Sequence, residues 1–427
     1  MVTRVRSVAR METVEFRQRS FEEIAQRHAL IAWTNRFYNR VRQTFLAQLM
    51  LLAFGTKMFL GQRVEGVPDA ALLSTAVFNN EKRALHQIAA CAPGVSCAQI
   101  SHSNRYMFSP ASLLALIACI GALPQLWRLS RLFARRYSFM PACRVFSVLF
   151  YYVRAKHLLR RLPTVKAVMT ASTYAPDAMG VAAAADSAGL KMIYTNHANL
   201  APKLPIITPI HASLAILHGQ SMVDIHARNQ AMDMTIVLKG VDGPCAPLRA
   251  ESLPDQGFRV GLFLTSLCDF DEMRRLIATA TQHYAAPQVL VRPHPNPYLT
   301  GEHFQSLAES DSKTLFISQG RSLAEDLAQC DLALCGNSSV VLEILRAGVP
   351  VLYDRGLDAN PYDYNGFVEQ GLIPELTSPE TFDLPALRQF YGGDWIDRMR
   401  YYDARYLTDG TDACREIGMA INALLPS

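Results

Sequence analysis

Two short polar segments in the carboxyl half of the chain carry residue types suited to holding a phosphate. They are Arg292-Pro293-His294-Pro295-Asn296-Pro297 and Gly336-Asn337-Ser338-Ser339, the second continuing to Glu343. Arg292 offers a permanent fork-shaped cation and His294 a titratable donor, while the prolines at 293, 295 and 297 restrict the backbone. Gly336 permits a sharp turn. Asn337, Ser338 and Ser339 suit the start of a helix near Val340, where unpaired N–H groups and a partial positive charge favour an anion. Thr265 and Ser266 close another apolar run and add hydroxyl donors. Alone, Asn-Ser-Ser also reads as an ordinary helix cap and His-Pro as a rigid turn. Both together, each at a strand's carboxyl end, predict a site for the leaving phosphate of a nucleotide-activated substrate.

The elements that must position these clusters follow from hydrophobic patterning. Gln288 to Val291 and Leu332 to Cys335 are apolar runs that read as buried parallel strands, joined by Val260 to Leu264, residues 314–317 and Val349 to Tyr353. The amino half repeats the rhythm. Strands are expected at 71–78, 95–100, 167–170, 191–194, 214–217 and 235–238, with helices at 81–90 and through Ala182 to Ala185 and a long helical section between 106 and 162. Alternating strands and helices predict an α/β fold with parallel sheets covered by helices. The Gly- and Pro-rich stretch from Gly240 to Gly257 is the expected linker. The domains are then an amino-terminal helical extension (1–66), a Rossmann-like domain (67–245) with a basic apolar helical insertion (about 106–162), and a second Rossmann-like domain (258–427).

A chain of 427 residues, half of them hydrophobic, exceeds what one core usually serves, which agrees with two large domains. Nine cysteines without a Cys-x-x-Cys pair or a Cys/His cluster argue against structural zinc and a disulfide framework, and predict a reducing compartment. The segment from Met1 to Arg27 carries both charge signs and no apolar core, so it does not read as a secretory signal. Charge distribution is the second strong signal. No Asp or Glu occurs between Glu81 and Asp177, while arginines and lysines recur from Arg128 to Arg161, interleaved with aromatic residues. A basic helical segment with an apolar face suits an anionic membrane surface; a solvated basic face is the plainer alternative. The uncharged run from Tyr106 to Trp127 is bounded by Pro110 and Pro124, which favours a buried or interfacial helix over a membrane span. A net charge of +5 without a nucleic-acid motif predicts no nucleic-acid partner.

On these residues a family resemblance rests. The chain from about 258 to 427 resembles the nucleotide-binding half of GT-B glycosyltransferases, especially bacterial capsule and lipopolysaccharide enzymes with a His-Pro motif and a later Ser-Ser motif. Sialyl-, polysialyl- and Kdo-transferases and the polyol-phosphate polymerases of wall teichoic acid synthesis belong to that group. His294-Pro295 matches the first motif and Ser338-Ser339 the second. The resemblance implies two Rossmann-like domains facing across a cleft, with nucleotide phosphates and base held by these motifs. It also implies a carboxylate near Glu343 on a ribose or sugar hydroxyl and no divalent metal. Thr195-Asn196-His197 stands where related enzymes carry a Gln-His-Gly turn, making His197 a candidate general base on the acceptor side. Asp177, the first carboxylate after the acid-free stretch and placed just after a strand, is the alternative base. The same His-Pro-Asn-Pro run also looks like UDP-N-acetylglucosamine 2-epimerases, although the Gly-Asp-Arg-x-Glu segment of that family is missing. The Asp/Glu-Asp/Glu-Gly motif of the sialyltransferases is missing too.

The expectation is a glycosyltransferase at the cytoplasmic face of the membrane, peripheral, without cofactor or metal. A nucleotide-sugar, foremost a CMP-activated acidic sugar, is the donor, and a glycan or lipid-linked molecule the acceptor. A UDP-sugar epimerase, a CDP-polyol phosphotransferase and a non-catalytic scaffold remain open.

Overall fold

The computed structural model describes residues 29–425 apart from 68, 203–206, 256, 266–267, 283–285, 295–303, 305–306, 308–313, 359–362, 377–382 and 409. Its first sheet is built from β1 (Gln62–Gly66), β2 (Leu72–Thr75), β3 (Cys97–His102), β4 (Ala167–Thr170), β5 (Lys191–Thr195), β6 (Leu214–Leu217) and β7 (Thr235–Leu238). The order is β1-β3-β2-β4-β5-β6-β7, parallel except for the antiparallel edge strand β1. The second sheet contains β8 (Val260–Phe263), β9 (Val289–Arg292), β10 (Leu315–Ile317), β11 (Leu332–Cys335) and β12 (Val351–Tyr353) in the order β10-β9-β8-β11-β12, all parallel. Strands β4, β6, β8 and β11 are buried at every position, as parallel strands covered on both faces must be. Strand order reverses between β8 and β11, so the turns after Phe263 and Cys335 flank the switch point where open sheets bind ligands.

Two helices, α1 (Ala29–Val41) and α2 (Phe45–Leu60), precede the first sheet, and α3 (Asn79–Ala90) connects β2 to β3. Between β3 and β4 lie α4 (Pro110–Ala118), α5 (Leu123–Arg136) and α6 (Phe139–Arg161). These three pack with α1 and α2 around a core of their own that includes Tyr38, Leu51, Phe59, Phe146 and Phe150. The bundle is anchored to the first sheet where α6 lies on α7 (Pro176–Ser187). A side chain at Gly180 would stand 2.5 Å from Tyr151 Cβ and 2.7 Å from the Val148 carbonyl oxygen, so only glycine allows this approach. Residues 62–66, expected within a helical extension, instead form β1, which pairs with β3 through its backbone. Among the described residues no single helix is long and apolar enough to cross a membrane. The apolar stretch of 110–136 breaks into two helices bent by 48°.

After β6 comes α8 (Gln220–Ala227). The second domain adds α9 (Phe270–Gln282), α10 (Leu323–Leu327), α11 (Val340–Arg346), α12 (Leu384–Phe390), α13 (Trp395–Tyr402) and α14 (Gly410–Leu424). The last of these returns to the first sheet, where Ile417 and Ile421 enter the core formed by Leu72, Ala167 and Ile193. The structure also pairs Cys91 at the end of α3 with Cys414 on α14 in a disulfide. The spacing of the cysteines, read as giving no disulfide framework, hides this pair: the two residues are 323 positions apart and meet only because the chain doubles back. The crossing is fixed by Asp403, which is fully buried, forms an ion pair with Arg346 and accepts a hydrogen bond from the Val241 N–H at 3.0 Å. Arg346 Nε in turn donates to the Gly243 carbonyl at 3.2 Å. The stretch 240–257 lacks strand and helix among its described residues, and Gly240 adopts a φ of +80° beside Asp403.

Candidate functional site

Both sheets turn their carboxyl ends toward one another. Arg83, on α3 just after β2, reaches Glu343, on α11 just after β11, at 3.3 Å. Burial pushes the Glu343 carboxyl upward and Arg83 opposes it. Glu343 therefore bridges the domains in this structure.

On the first-domain side, three residues form a network. Asp177 sits in the first turn of α7, after β4, where the helix dipole favours a carboxylate. Thr75 ends β2 and His102 ends β3. Thr75 Oγ1 donates to Asp177 Oδ2 at 3.1 Å and lies 3.2 Å from His102 Nε2, while that nitrogen is 3.9 Å from the same carboxylate oxygen. Because the Thr75 proton is committed to Asp177, its oxygen accepts from His102, which fixes the Nε2–H tautomer and leaves the Nδ1 lone pair. Burial raises the Asp177 pKa to about 6, with Glu81 adding repulsion, and burial lowers that of His102 to about 4. The Asp177 side chain is 2 % exposed and that of His102 11 %, so His102 is the member that solvent reaches. Asp177 Oδ1 has no hydrogen-bond partner within the protein. Glu81, itself buried, accepts from the N–H groups of Val77 and Phe78 at 3.2 Å each and ties down the turn before α3.

His197 follows β5, the neighbour of β4. Its Nδ1 lies 2.5 Å from the carbonyl oxygen of Ala171, the residue after β4. A carbonyl only accepts, so Nδ1 carries the proton and Nε2 the lone pair; burial, with the Lys239 charge adding to it, lowers the pKa. The two expected bases thus stand at the ends of adjacent strands. Asp177 has the hydrogen-bonded partners of a proton-transfer group, whereas His197 is held by a loop contact. His218 is buried, and burial drives its pKa well down.

On the second-domain side the expected donors are already engaged. Arg292 pairs with Asp326, a fully buried carboxylate, and donates to the Arg321 carbonyl at 3.2 Å. It therefore does not stand as the free cation that the sequence suggests. The hydroxyl of Thr265, after β8, and the N–H of Asn337, after β11, both donate to Asp358. The Asp358 carboxylate fills the space a side chain at Gly336 would need. Burial raises the Asp358 pKa to about 6 against the pull of those two donors. Asn337 Oδ1 accepts from the Tyr364 N–H at 2.6 Å, and Ser338 Oγ accepts from the Val340 N–H at 3.3 Å. Ser339 is helical and makes no side-chain cap, so of the expected caps Ser338 serves the helix start. His294 follows β9, half-buried, at the same end of the sheet. Pro295 and Ser266 lie outside the described residues.

Sequence reading missed His102, Thr75, Asp358 and Asp326. A signal for His102 was present: Ala98 and Ile100 alternate toward the buried face of β3, and His102 is the next residue on it. Asp358 and Asp326 had no local signal.

Among the described residues no group of three or more His, Cys, Asp or Glu is arranged to hold a metal ion. No family model matches the chain, and no curated protein matches its sequence. Solved structures do match it. S. aureus MnaA in a co-structure with UDP aligns with a TM-score of 0.50 at 11% identity, over 83% of this chain and 97% of that one. A Listeria monocytogenes protein assigned as a UDP-N-acetylglucosamine 2-epimerase aligns with a TM-score of 0.51 at 12% identity, over 82% and 95%. CalG4, the calicheamicin glycosyltransferase, aligns with a TM-score of 0.49 at 14% identity, over 83% and 98%. The fold is the two-domain α/β arrangement of GT-B enzymes and epimerases.

Proposed function

We propose that the protein is a glycosyltransferase that moves a sugar from a nucleotide donor on the second domain to an acceptor hydroxyl presented by the first. The observation that carries this reading is the Thr75-bridged pair of Asp177 and His102, set at the carboxyl ends of one sheet and opposite those of the other. In this mechanism the acceptor oxygen attacks the sugar's anomeric carbon as its proton passes to His102 Nδ1. The Nε2–H of His102 stays hydrogen-bonded to Thr75, and ionised Asp177 offsets the new imidazolium charge. The bond from the anomeric carbon to the phosphate oxygen breaks, and the departing nucleotide is held by His294, Ser338 and the backbone after β11.

The finer assignments belong to the same proposal. The His294-Pro295 and Ser338-Ser339 resemblance supports a CMP-activated acidic sugar. Acceptors are surface glycans or lipid-linked molecules at the cytoplasmic face, and turnover needs no divalent metal. A second reading, a UDP-sugar 2-epimerase-like isomerase, is favoured by the alignment with MnaA bound to UDP and with the Listeria protein, both at a TM-score of 0.5 or above.

One assay separates the two. Purified protein is incubated with CMP-, CDP- and UDP-sugars, with and without glycan acceptors, in EDTA, and nucleotide release and sugar configuration are followed by NMR. Acceptor-dependent nucleotide release supports the transferase. Inversion at C2 of a UDP-sugar without acceptor supports the isomerase and overturns it.

A further inference from the structure

The five-helix bundle, with its own core, leaves a large apolar surface uncovered. Leu114, Ile117 and Ile120, at the elbow between α4 and α5, are 63 %, 64 % and 62 % exposed, with Leu113 and Leu123 also exposed beside them. The amino-terminal end of α2 adds exposed Phe45, Leu46 and Leu49, and the Phe45 ring meets Trp127 of α5 at 5.2 Å between centroids, which ties the two apolar stretches together. None of these side chains is needed inside the bundle. Isolated exposed leucines are ordinary, but a run of adjoining ones marks an interaction surface.

Charge says what covers it. Helices α1, α2, α4, α5 and α6 contain no Asp or Glu at all. Arg128, Arg131 and Arg135 recur at helical spacing on exposed positions of α5, next to the elbow. A second copy of the chain would bring the same cations against these, and repel. An anionic bilayer offers both an apolar interior and negative headgroups. Length decides the mode of contact: α4 has nine residues, about 13 Å of helix, against a hydrocarbon core of about 30 Å. The helix pair, bent by 48°, therefore lies within one leaflet's interface.

We propose that the bundle docks the enzyme on an anionic phospholipid surface, with the α4–α5 elbow inserted among the acyl chains and the arginines of α5 on the headgroups. The docked bundle also reaches the candidate site, because Tyr151 of α6 stands edge-on to His102, 5.5 Å between ring centres.

The test is co-sedimentation of the full chain, without nucleotide, with vesicles of phosphatidylcholine alone or mixed with phosphatidylglycerol. Its outcome is independent of the nucleotide assay. Binding is expected to the mixed vesicles at low salt, weakened by high salt and absent from phosphatidylcholine. Combined Arg128→Gln, Arg131→Gln and Arg135→Gln replacement should weaken it on the order of 100-fold, at about fivefold per arginine. Leu114→Ser with Ile117→Ser should weaken it at least about tenfold, with thermal unfolding unchanged. Recovery of wild-type protein in the supernatant at low salt overturns the proposal. So does equal binding to both vesicle types, or a dimer in sedimentation velocity that the Leu114→Ser/Ile117→Ser variant dissolves without any vesicle binding.

Discussion

The two sheets present the same end of the same kind of strand to one cleft, yet their polar groups are balanced in opposite ways. At the first sheet a buried carboxyl group meets a threonine hydroxyl and an uncharged imidazole, with Glu81 adding repulsion and, among the described residues, no cation paired to it. At the second sheet the donors expected to meet a phosphate already meet the protein's own carboxylates, Asp326 on Arg292 and Asp358 on Thr265 and Asn337. The first arrangement keeps a titratable group near the pH at which it exchanges protons. The second fills with Asp358 the position that faces the Thr265 hydroxyl and the Asn337 N–H, and on the proposed function a nucleotide phosphate would compete with that carboxylate. A strand-end cluster read from sequence shows that an anion belongs, without showing whose.

Replacing Asp177 should break the contrast most severely. Asp177→Asn keeps the Thr75 contact but removes the charge that offsets a protonated His102, and turnover should fall roughly 10²–10⁴-fold. Stability should move the other way. A carboxyl whose pKa rises from 3.8 to about 6 on folding stabilises the fold fully only below its unfolded value, and that contribution is lost as pH climbs through about 6. The Asn variant should therefore be more stable than wild type at neutral pH, on the order of 2–3 kcal/mol, with the gain vanishing below about pH 4. Urea unfolding at two pH values checks this.

Arg292→Ala tests whether the second sheet's cation is structural. Removing it leaves the buried Asp326 with the Ser318 hydroxyl and the Arg321 guanidinium 3.5 Å away, and stability should drop by about 2 kcal/mol in thermal or urea unfolding. A variant as stable as wild type but unable to bind nucleotide would assign Arg292 to the ligand instead. The smallest effect is expected at Asp358. Asp358→Asn should strengthen nucleotide binding about tenfold at neutral pH, and wild-type affinity should rise as pH falls through about 6, where Asp358 gains a proton. Titration calorimetry at pH 5.5 and 7.5 measures both.

The strands at 167–170, 214–217 and 332–335 were legible as continuous apolar runs because each lies inside a covered parallel sheet, and the edge strand at 235–238 was legible from its β-branched run. Strand β1 was not, since Gln62-Arg63-Val64-Glu65-Gly66 joins an edge by backbone pairing and buries little. Asp177 was legible as a polar residue just beyond a strand. Its partners were not, because Thr75 is 102 positions away and meets it only when β2 lies beside β4. Separations of 93 and 323 positions likewise hid Asp358 from Thr265 and Cys91 from Cys414. Local pattern names the strand ends; topology decides which of them touch.

Thermal unfolding of the purified protein against CMP, CDP, UDP, GDP and their sugar conjugates decides whether the cleft holds a nucleotide, since a ligand that binds the folded state raises its Tm. Selective stabilisation by one nucleotide class, CMP foremost, is expected, and it should be lost when His294→Ala and Ser338→Ala are combined. A protein that none of these nucleotides stabilises, or one whose stabilisation survives that double replacement, would contradict the proposed donor site.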